Sequence, residues 1–282
     1  MKKIVNVCLT LALAAACVGC GAKAESTTTA ATEVTTTVAE ITTAAKEETT
    51  AATEAVTKET EKATDTKSDG VMTYEEYMAA DLDSEVVVET YVQAKQSWWE
   101  DKATLYTQDQ DGAYFIYNMA CSKEDYEKLT PGTKIKVTGY KAEWSGEVEI
   151  IDATFEMAEG NYIAEAKDVT ALLGTEELIE SQNQFVSFKD MTVEAAGQDA
   201  DGKDVAFLYS WDGSGQDGDD LYFNVSSNGQ TYTFTVESYL CDNTTEVYKA
   251  VKELNIGDKI DMEGFLYWYE GVNPHITSVT VK

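Results

Sequence analysis

The sequence has no arginine and one histidine, His275. Without arginine there is no guanidinium fork to take phosphate or carboxylate bidentately. One histidine excludes any site that needs two from the same chain. Positive charge of any kind is scarce. The formal net charge is −30 over 282 residues, and Gly70–Lys282 alone carries 14 Lys against 41 acids. A body of that charge repels nucleic-acid phosphates and anionic lipid surfaces, so binding driven by a nucleic-acid backbone is not expected. Five cysteines are present, but only Cys121 and Cys241 lie beyond residue 20. No apolar run reaches the ~20 residues that a membrane-spanning helix requires. Gly-x-Ser-x-Gly, His-Glu-x-x-His and the phosphate-binding Gly-x-x-x-x-Gly-Lys-[Ser/Thr] are all missing. With 51 acids, pairs of carboxylates carry no information by themselves.

The N-terminus is an address. Met1-Lys2-Lys3 is a short positive region, followed by an apolar stretch from Ile4 to Val18. This is a secretory signal, too short to span. The row Ala16-Cys17-Val18-Gly19-Cys20-Gly21 resembles a bacterial lipoprotein cleavage box. The resemblance implies cleavage before Cys20, lipid on its sulfur and amine, and attachment to the outer face of a bacterial cell membrane. Two or more acyl chains anchor stably where one is marginal. Ordinary secretion without lipid is the alternative.

Residues 25–69 hold 33 Thr, Ala or Glu and no aromatic, Pro or Gly. Such a segment cannot bury enough apolar surface to offset its ordering entropy, so a disordered stalk is expected over 20–69. Its threonines would also suit O-glycosylation.

All 29 aromatic residues follow residue 70, in a body that repeats internally. Leu129, Gly132, Lys134, Ile135, Gly139 and Tyr140 match Leu254, Gly257, Lys259, Ile260, Gly264 and Phe265 at a constant offset of 125. One inserted residue later, Ile150 matches Ile276 and Thr154 matches Thr280. So long a period signals duplicated domains, not a solenoid. Each copy reads as a long β-rich run, then a hairpin with Asp111-Gly112 or Asn228-Gly229 at its tip, the signature of a type I′ turn. A short helix and two closing strands follow. The first helix opens on Ser122-x-x-Asp125; Val247, Val251 and Leu254 share one face of the second.

Three strands, a helix and two strands in ~80–100 residues suit an OB-fold, the five-stranded partly open barrel. The Gly-x-Lys-Ile segment resembles the fourth strand of small OB-fold domains of bacterial secreted proteins, and the second repeat, by Tyr232, Phe234 and the run Gly264–Gly271, resembles OB-type modules of Gram-positive surface proteins. The expected architecture is therefore mainly β. It consists of a signal peptide (1–19), a stalk (20–69), a first OB-like barrel (70–160), a helical connector (161–183) and a second OB-like barrel (184–282). Two small β-sandwiches, the competing fold, would need about seven strands each. The connector, with Val169, Leu172 and Leu173 on a partial apolar face, is expected to pack between the repeats.

OB-folds bind oligonucleotides or oligosaccharides on one sheet face, between the loop after the first strand and the loop between the last two. The tryptophans fall near those loops. The candidate ligand-binding residues are Trp98, Trp99, Trp144, Trp211, Tyr222, Trp268, Tyr269 and His275. Their flat faces suit sugar rings or bases, unless they plug the barrel mouths instead. Trp98 and Trp99, being adjacent, should point to opposite sides. Asp199, Asp201, Asp204, Asp217, Asp219 and Asp220 cluster on Gly-rich loops that suit Ca²⁺, though they match no EF-hand spacing. No other cofactor is expected. A lone histidine is usually structural, and Cys121 and Cys241, at matching places in two domains, read as buried free thiols.

The expected function is that of a non-enzymatic, lipid-anchored surface protein binding carbohydrate or an extracellular protein. A hydrolase using an acidic pair, and oligonucleotide binding by fold analogy, are the alternatives. A hydrolase would show a pocket joining Trp211 or Trp268 to two buried acids, whereas exposed aromatics with no cleft would favour binding.

Overall fold

A computed structural model describes residues 67–282. The expected lipidation at Cys20, the expected signal peptide and all but the last residues of the expected stalk lie outside them. Lys67, expected in the stalk, already reaches the body and pairs with the buried Asp109 carboxylate.

The first repeat opens on α1 (Tyr74–Ala79). It continues with β1 (Glu85–Lys95), β2 (Lys102–Gln108), β3 (Ala113–Ala120), α2 (Lys123–Lys128), β4 (Thr133–Trp144) and β5 (Glu147–Asn161). The strands close into a barrel in the order β1-β2-β3-β5-β4. β3 and β5 run parallel, which seals the ring. Inward residues at alternate positions, such as Val86, Val88, Leu105, Ile116, Ile135, Val137 and Ile150, fill it. α2 begins where the Ser122 hydroxyl accepts from the Asp125 backbone N–H, and Leu129 at its end is fully buried in the core. The opening helix α1 carries a complete capping box between Thr73 and Glu76. It brings Tyr74 and Tyr77 onto the ring of Tyr114.

The connector contains β6 (Lys167–Asp168) and two 3₁₀ turns, Thr170–Leu172 and Glu176–Ser181. The expected helix is thus broken into short pieces. Gly174 sits at φ +79°, outside the right-handed helical region, and lies against Gln230 and Tyr232. Val169, Leu173 and Leu178 join the core of the second barrel. The connector's apolar side therefore serves that barrel and not the space between the two.

The second repeat contains β7 (Phe185–Glu194), the minor strands β8 (Gly197–Gln198), β9 (Asp204–Val205) and β10 (Phe207–Tyr209), then β11 (Leu221–Ser227) and β12 (Gln230–Val236). It ends with α3 (Glu246–Lys252), β13 (Lys259–Phe265) and β14 (His275–Val281). Pairing of β11 with β7 closes a ring in the order β7-β11-β12-β14-β13. It reproduces the first ring strand for strand, including the parallel β12–β14 contact. Both rings carry a helix between the third and fourth strands. The body is thus mainly β, built of two tandem OB-like five-stranded barrels.

The two hairpin tips differ. Asn228 (φ +52°) and Gly229 (φ +79°) form the expected type I′ turn. At the other tip neither residue has positive φ. There the Asp109 carboxylate accepts from the N–H groups of Asp111 and Gly112. Gly112 is needed because the Tyr74 ring lies 2.2 Å from where its Cβ would be. Cys121 and Cys241 are free and buried. Among the described residues no helix is long and apolar enough to cross a membrane.

Candidate functional site

The β2–β3 face of the first barrel, the face OB-folds use, meets the second barrel. Tyr106 points outward from β2 and stacks on Phe265 at 4.6 Å between centroids. Its hydroxyl shares a 2.6 Å hydrogen bond with His275 Nδ1. Phe115, beside it on β3, meets Tyr267 edge-on at 5.2 Å. Tyr267 in turn stacks on His275 at 4.4 Å. Hydrogen bonds frame this aromatic contact. Ser97 N–H donates to the Tyr239 carbonyl (2.7 Å), Phe185 N–H to Gln108 Oε1 (2.7 Å) and Gln182 Nε2 to the Gly146 carbonyl (2.8 Å).

Where the contact ends, a cleft of about 660 Å³ opens. Trp99, Tyr117 and Trp144 line it from the first barrel, Glu237, Tyr239 and Tyr267 from the second. Trp99, Trp144 and Tyr239 are 67%, 54% and 67% exposed. Local chain geometry explains these positions. Trp99 precedes a two-residue turn, Glu100-Asp101, with both φ angles positive. Trp144 ends β4 at the Ser145-Gly146 turn, and its ring lies 5.1 Å from that of Tyr269. A larger depression of about 830 Å³ sits on the wall of the second barrel. No aromatic ring lines it, so it lacks the chemistry of the cleft.

Burial dominates the electrostatics. The Glu147 carboxyl is pushed up to about 8, mainly by desolvation. Glu149 and Glu237 are each raised to about 7 for the same first reason. His275 is held down at about 3 by burial and is therefore neutral. Glu147 Oε2 accepts from the Trp268 backbone N–H at 2.9 Å and so ties the second barrel to the first. Glu237 accepts from Tyr239 N–H, Leu240 N–H and Gln96 Nε2. It caps a turn and bridges the barrels.

The expected site residues fall in several separate places. Trp99 and Trp144 line the cleft, and Tyr269 lies beside Trp144. Trp98 is half-buried and donates from Nε1 to the Cys121 carbonyl (3.0 Å), so the adjacent indoles do point different ways. Trp268 is half-buried over Gly146, whose Cβ would fall 2.8 Å from its ring. His275 belongs to the barrel contact and also reaches the wall of the cleft. Tyr222 is half-buried on the outer face of β11, and Trp211 stands alone at 76% exposure. Burial raises the Tyr222 phenol.

The six aspartates are spread over separate turns. Asp199 accepts from Asp201 and Lys203 N–H, Asp220 from Ser238, and Asp219 from Gln216 N–H. Asp204 accepts from Gln198, and Asp217 pairs with Lys252. Among the described residues no three His, Cys, Asp or Glu side chains are grouped to hold a metal ion.

Sequence reading missed Tyr117, Tyr239, Tyr267, Glu147, Glu149 and Glu237. The alternation Glu147-x-Glu149 at the start of a strand was the available signal, since it places both carboxyls on one face.

No family model matches the chain, and no curated protein sequence matches it. Solved structures similar to it include a murine DNA-binding protein bound with double-stranded DNA (11% identity, TM-score 0.32, covering 70% of this chain and 94% of that one). Others are the p204 HINb domain (11%, TM-score 0.33, 72% and 100%) and a replication protein A heterotrimer bound to single-stranded DNA (10%, TM-score 0.29, 70% and 49%). Likenesses this distant do not bear on function. The chain's own strand order defines its class, a protein of two tandem OB-like barrels.

Proposed function

We propose that the protein is a non-enzymatic surface lipoprotein, anchored through Cys20, that binds carbohydrate in the aromatic cleft between its barrels. One observation carries this reading: three large, exposed rings from two barrels converge on the face an OB-fold presents to ligands. Flat rings with polar neighbours suit sugar rings, whose C–H faces stack and whose hydroxyls need hydrogen-bond partners. The strongly negative body and the single lysine in the cleft, Lys102, disfavour a polyanion such as nucleic acid. Both Glu237 oxygens are engaged by donors that hold a turn, which favours binding over acid–base hydrolysis at that residue.

The test is a glycan array including cell-wall fragments, probed with the intact chain. A saturable ligand whose affinity falls about tenfold or more in Trp144→Ala or Trp99→Ala supports the reading (tenfold is ~1.4 kcal/mol). A clean negative array, or a ligand indifferent to both substitutions, overturns it. Labelling with radioactive palmitate that disappears in Cys20→Ala tests the anchor.

A further inference from the structure

The cleft does not stop at its rings. A second depression of about 590 Å³ continues from it, sharing Lys102, Tyr117 and Asn118. Its far wall is acidic: Glu100, Asp101, Glu149 and Asp152 line it against the one lysine. Glu149 differs from the other three. It lines the groove at 7% exposure, and among the described residues no hydrogen bond or ion pair engages its carboxyl. A carboxyl drawn largely out of water, lining a groove and engaged by no protein donor is an acceptor open to a cationic ligand. Beside it stands Tyr117, whose ring is 44% exposed and offers a face to a cation.

We propose that this acidic end of the groove is a subsite for a primary ammonium group, so that the ligand is an amino sugar with a free amine. The inference rests on the carbohydrate reading of the adjoining cleft. In it, rings stack on Trp144 and Trp99 while an ammonium group reaches Glu149, with Asp152 and Asp101 adding long-range attraction. The titratable groups that feel Glu149 are Glu147 on its own strand, Tyr77 on α1 and Tyr267 from the second barrel, while Tyr117 on β3 and Asp152 share the groove lining with it. Glu100, Asp101 and Lys102 face it from the β1–β2 side. The β4 residue paired with Glu149 is Ala142, which has no charge. Burial holds the empty Glu149 carboxyl near neutrality, at about 7. Ammonium binding favours the carboxylate, so at pH 6.5 the acid gives its proton to solvent as the ion pair forms. Charge-assisted pairing in a partly dry groove then discriminates against the N-acetylated sugar, which has no cation to offer.

Calorimetry on the intact chain at pH 6.5 tests this with two probes, the β-1,4-linked glucosamine tetramer and its fully N-acetylated counterpart. The expected result is amine binding about tenfold tighter. Titrations in buffers of different ionisation enthalpy should show release of a large fraction of a proton. In Glu149→Gln both the preference and the proton release vanish while binding of the neutral tetramer persists. Asp152→Asn, at an exposed position, weakens the preference without touching the buried carboxyl. Equal affinity, or a preference for the acetylated tetramer, overturns the ammonium subsite and leaves the aromatic cleft standing. If neither tetramer binds, the carbohydrate reading of these sugars falls. Methyl glucosaminide is then titrated against the Glu149 carboxyl by carbon-13 NMR: an unmoved resonance overturns the subsite as well, and a shifted one upholds it.

Discussion

Glu149 and His275 occupy the same place in the two barrels. β5 pairs with β3 at Phe115–Glu149, and β14 pairs with β12 at Thr235–His275. Each side chain points outward from the fifth strand, on the ligand-facing side, and each is buried. Their fates differ. His275 is held by the Tyr106 hydroxyl and stacked on Tyr267, and it forms part of the contact between the barrels. Glu149 has no protein partner and faces a groove. The two barrels present equivalent outer faces at this place. Docking covered the first barrel's face at Tyr106 and Phe115 and left its Glu149 end open.

The largest expected effect divides this comparison by pH. His275 titrates at about 3 folded against 6.5 unfolded. Its contribution is present above pH 6.5 and is lost as pH falls towards 3. Glu147, Glu149 and Glu237 are raised from 4.5 to about 8, 7 and 7. Their contribution is full below 4.5 and is lost as pH rises through 7 to 8. Each group adds up to about 1.4 kcal/mol per pH unit inside its window. Stability should therefore peak near pH 4.5 and fall by several kcal/mol, to order of magnitude, by pH 8. Urea denaturation across pH 3–9 measures it. Glu147→Gln should flatten the alkaline limb and leave the acid limb alone. A maximum at pH 7 or above would break the assignment.

A smaller effect tests how tightly each barrel closes. Gly139 and Gly264 are repeat equivalents on the fourth strand. A Cβ at Gly264 would fall 2.2 Å from the His275 carbonyl oxygen, a backbone atom. At Gly139 the worst contacts are an Ile150 methyl at 2.7 Å and the Ile151 carbonyl oxygen at 2.8 Å. Gly264→Ala should cost about 3 kcal/mol or more and Gly139→Ala about 1–2 kcal/mol, by chemical denaturation. Equal costs would mean that the two closures are equally tight. Tyr106→Phe comes next. It leaves the buried His275 Nδ1 without its partner and should cost about 1–2 kcal/mol, while the stacking on Phe265 survives.

Strand order, the duplication and the placement of Trp99 and Trp144 were legible because they follow local rules: alternation, turn residues and a constant offset. The capping box Thr73-x-x-Glu76 was equally legible as a helix start and was passed over beside the stalk. The cleft was not legible. It depends on which outward faces meet, and no periodicity encodes that Tyr106 of one repeat finds His275 of the other. Nor does sequence show which of 51 acids is buried. Glu149 stands out only once Tyr267 and the groove walls are in place around it.

The hairpin tips show how one motif conceals two causes, and they carry the smallest predicted effect. Asp111-Gly112 and Asn228-Gly229 read alike. Gly229 is held at φ +79° with nothing within 4 Å of a Cβ, so its requirement is purely backbone. Gly112 has no unusual φ but abuts the Tyr74 ring, so its requirement is purely space. Gly229→Ala should cost about 1 kcal/mol. Gly229→Asn should cost less, because Asn tolerates the left-handed region. At Gly112 the order must invert, since Asn is larger than Ala and gains nothing from its backbone tolerance. Shortening the ring should also absorb the cost there: in a double-mutant cycle, Tyr74→Ala and Gly112→Ala should couple by about 1 kcal/mol. Tyr74→Ala and Gly229→Ala should be additive. If both glycines preferred Asn to Ala, the two turns would be the same turn after all, and the role given to α1 in shaping the first tip would fall.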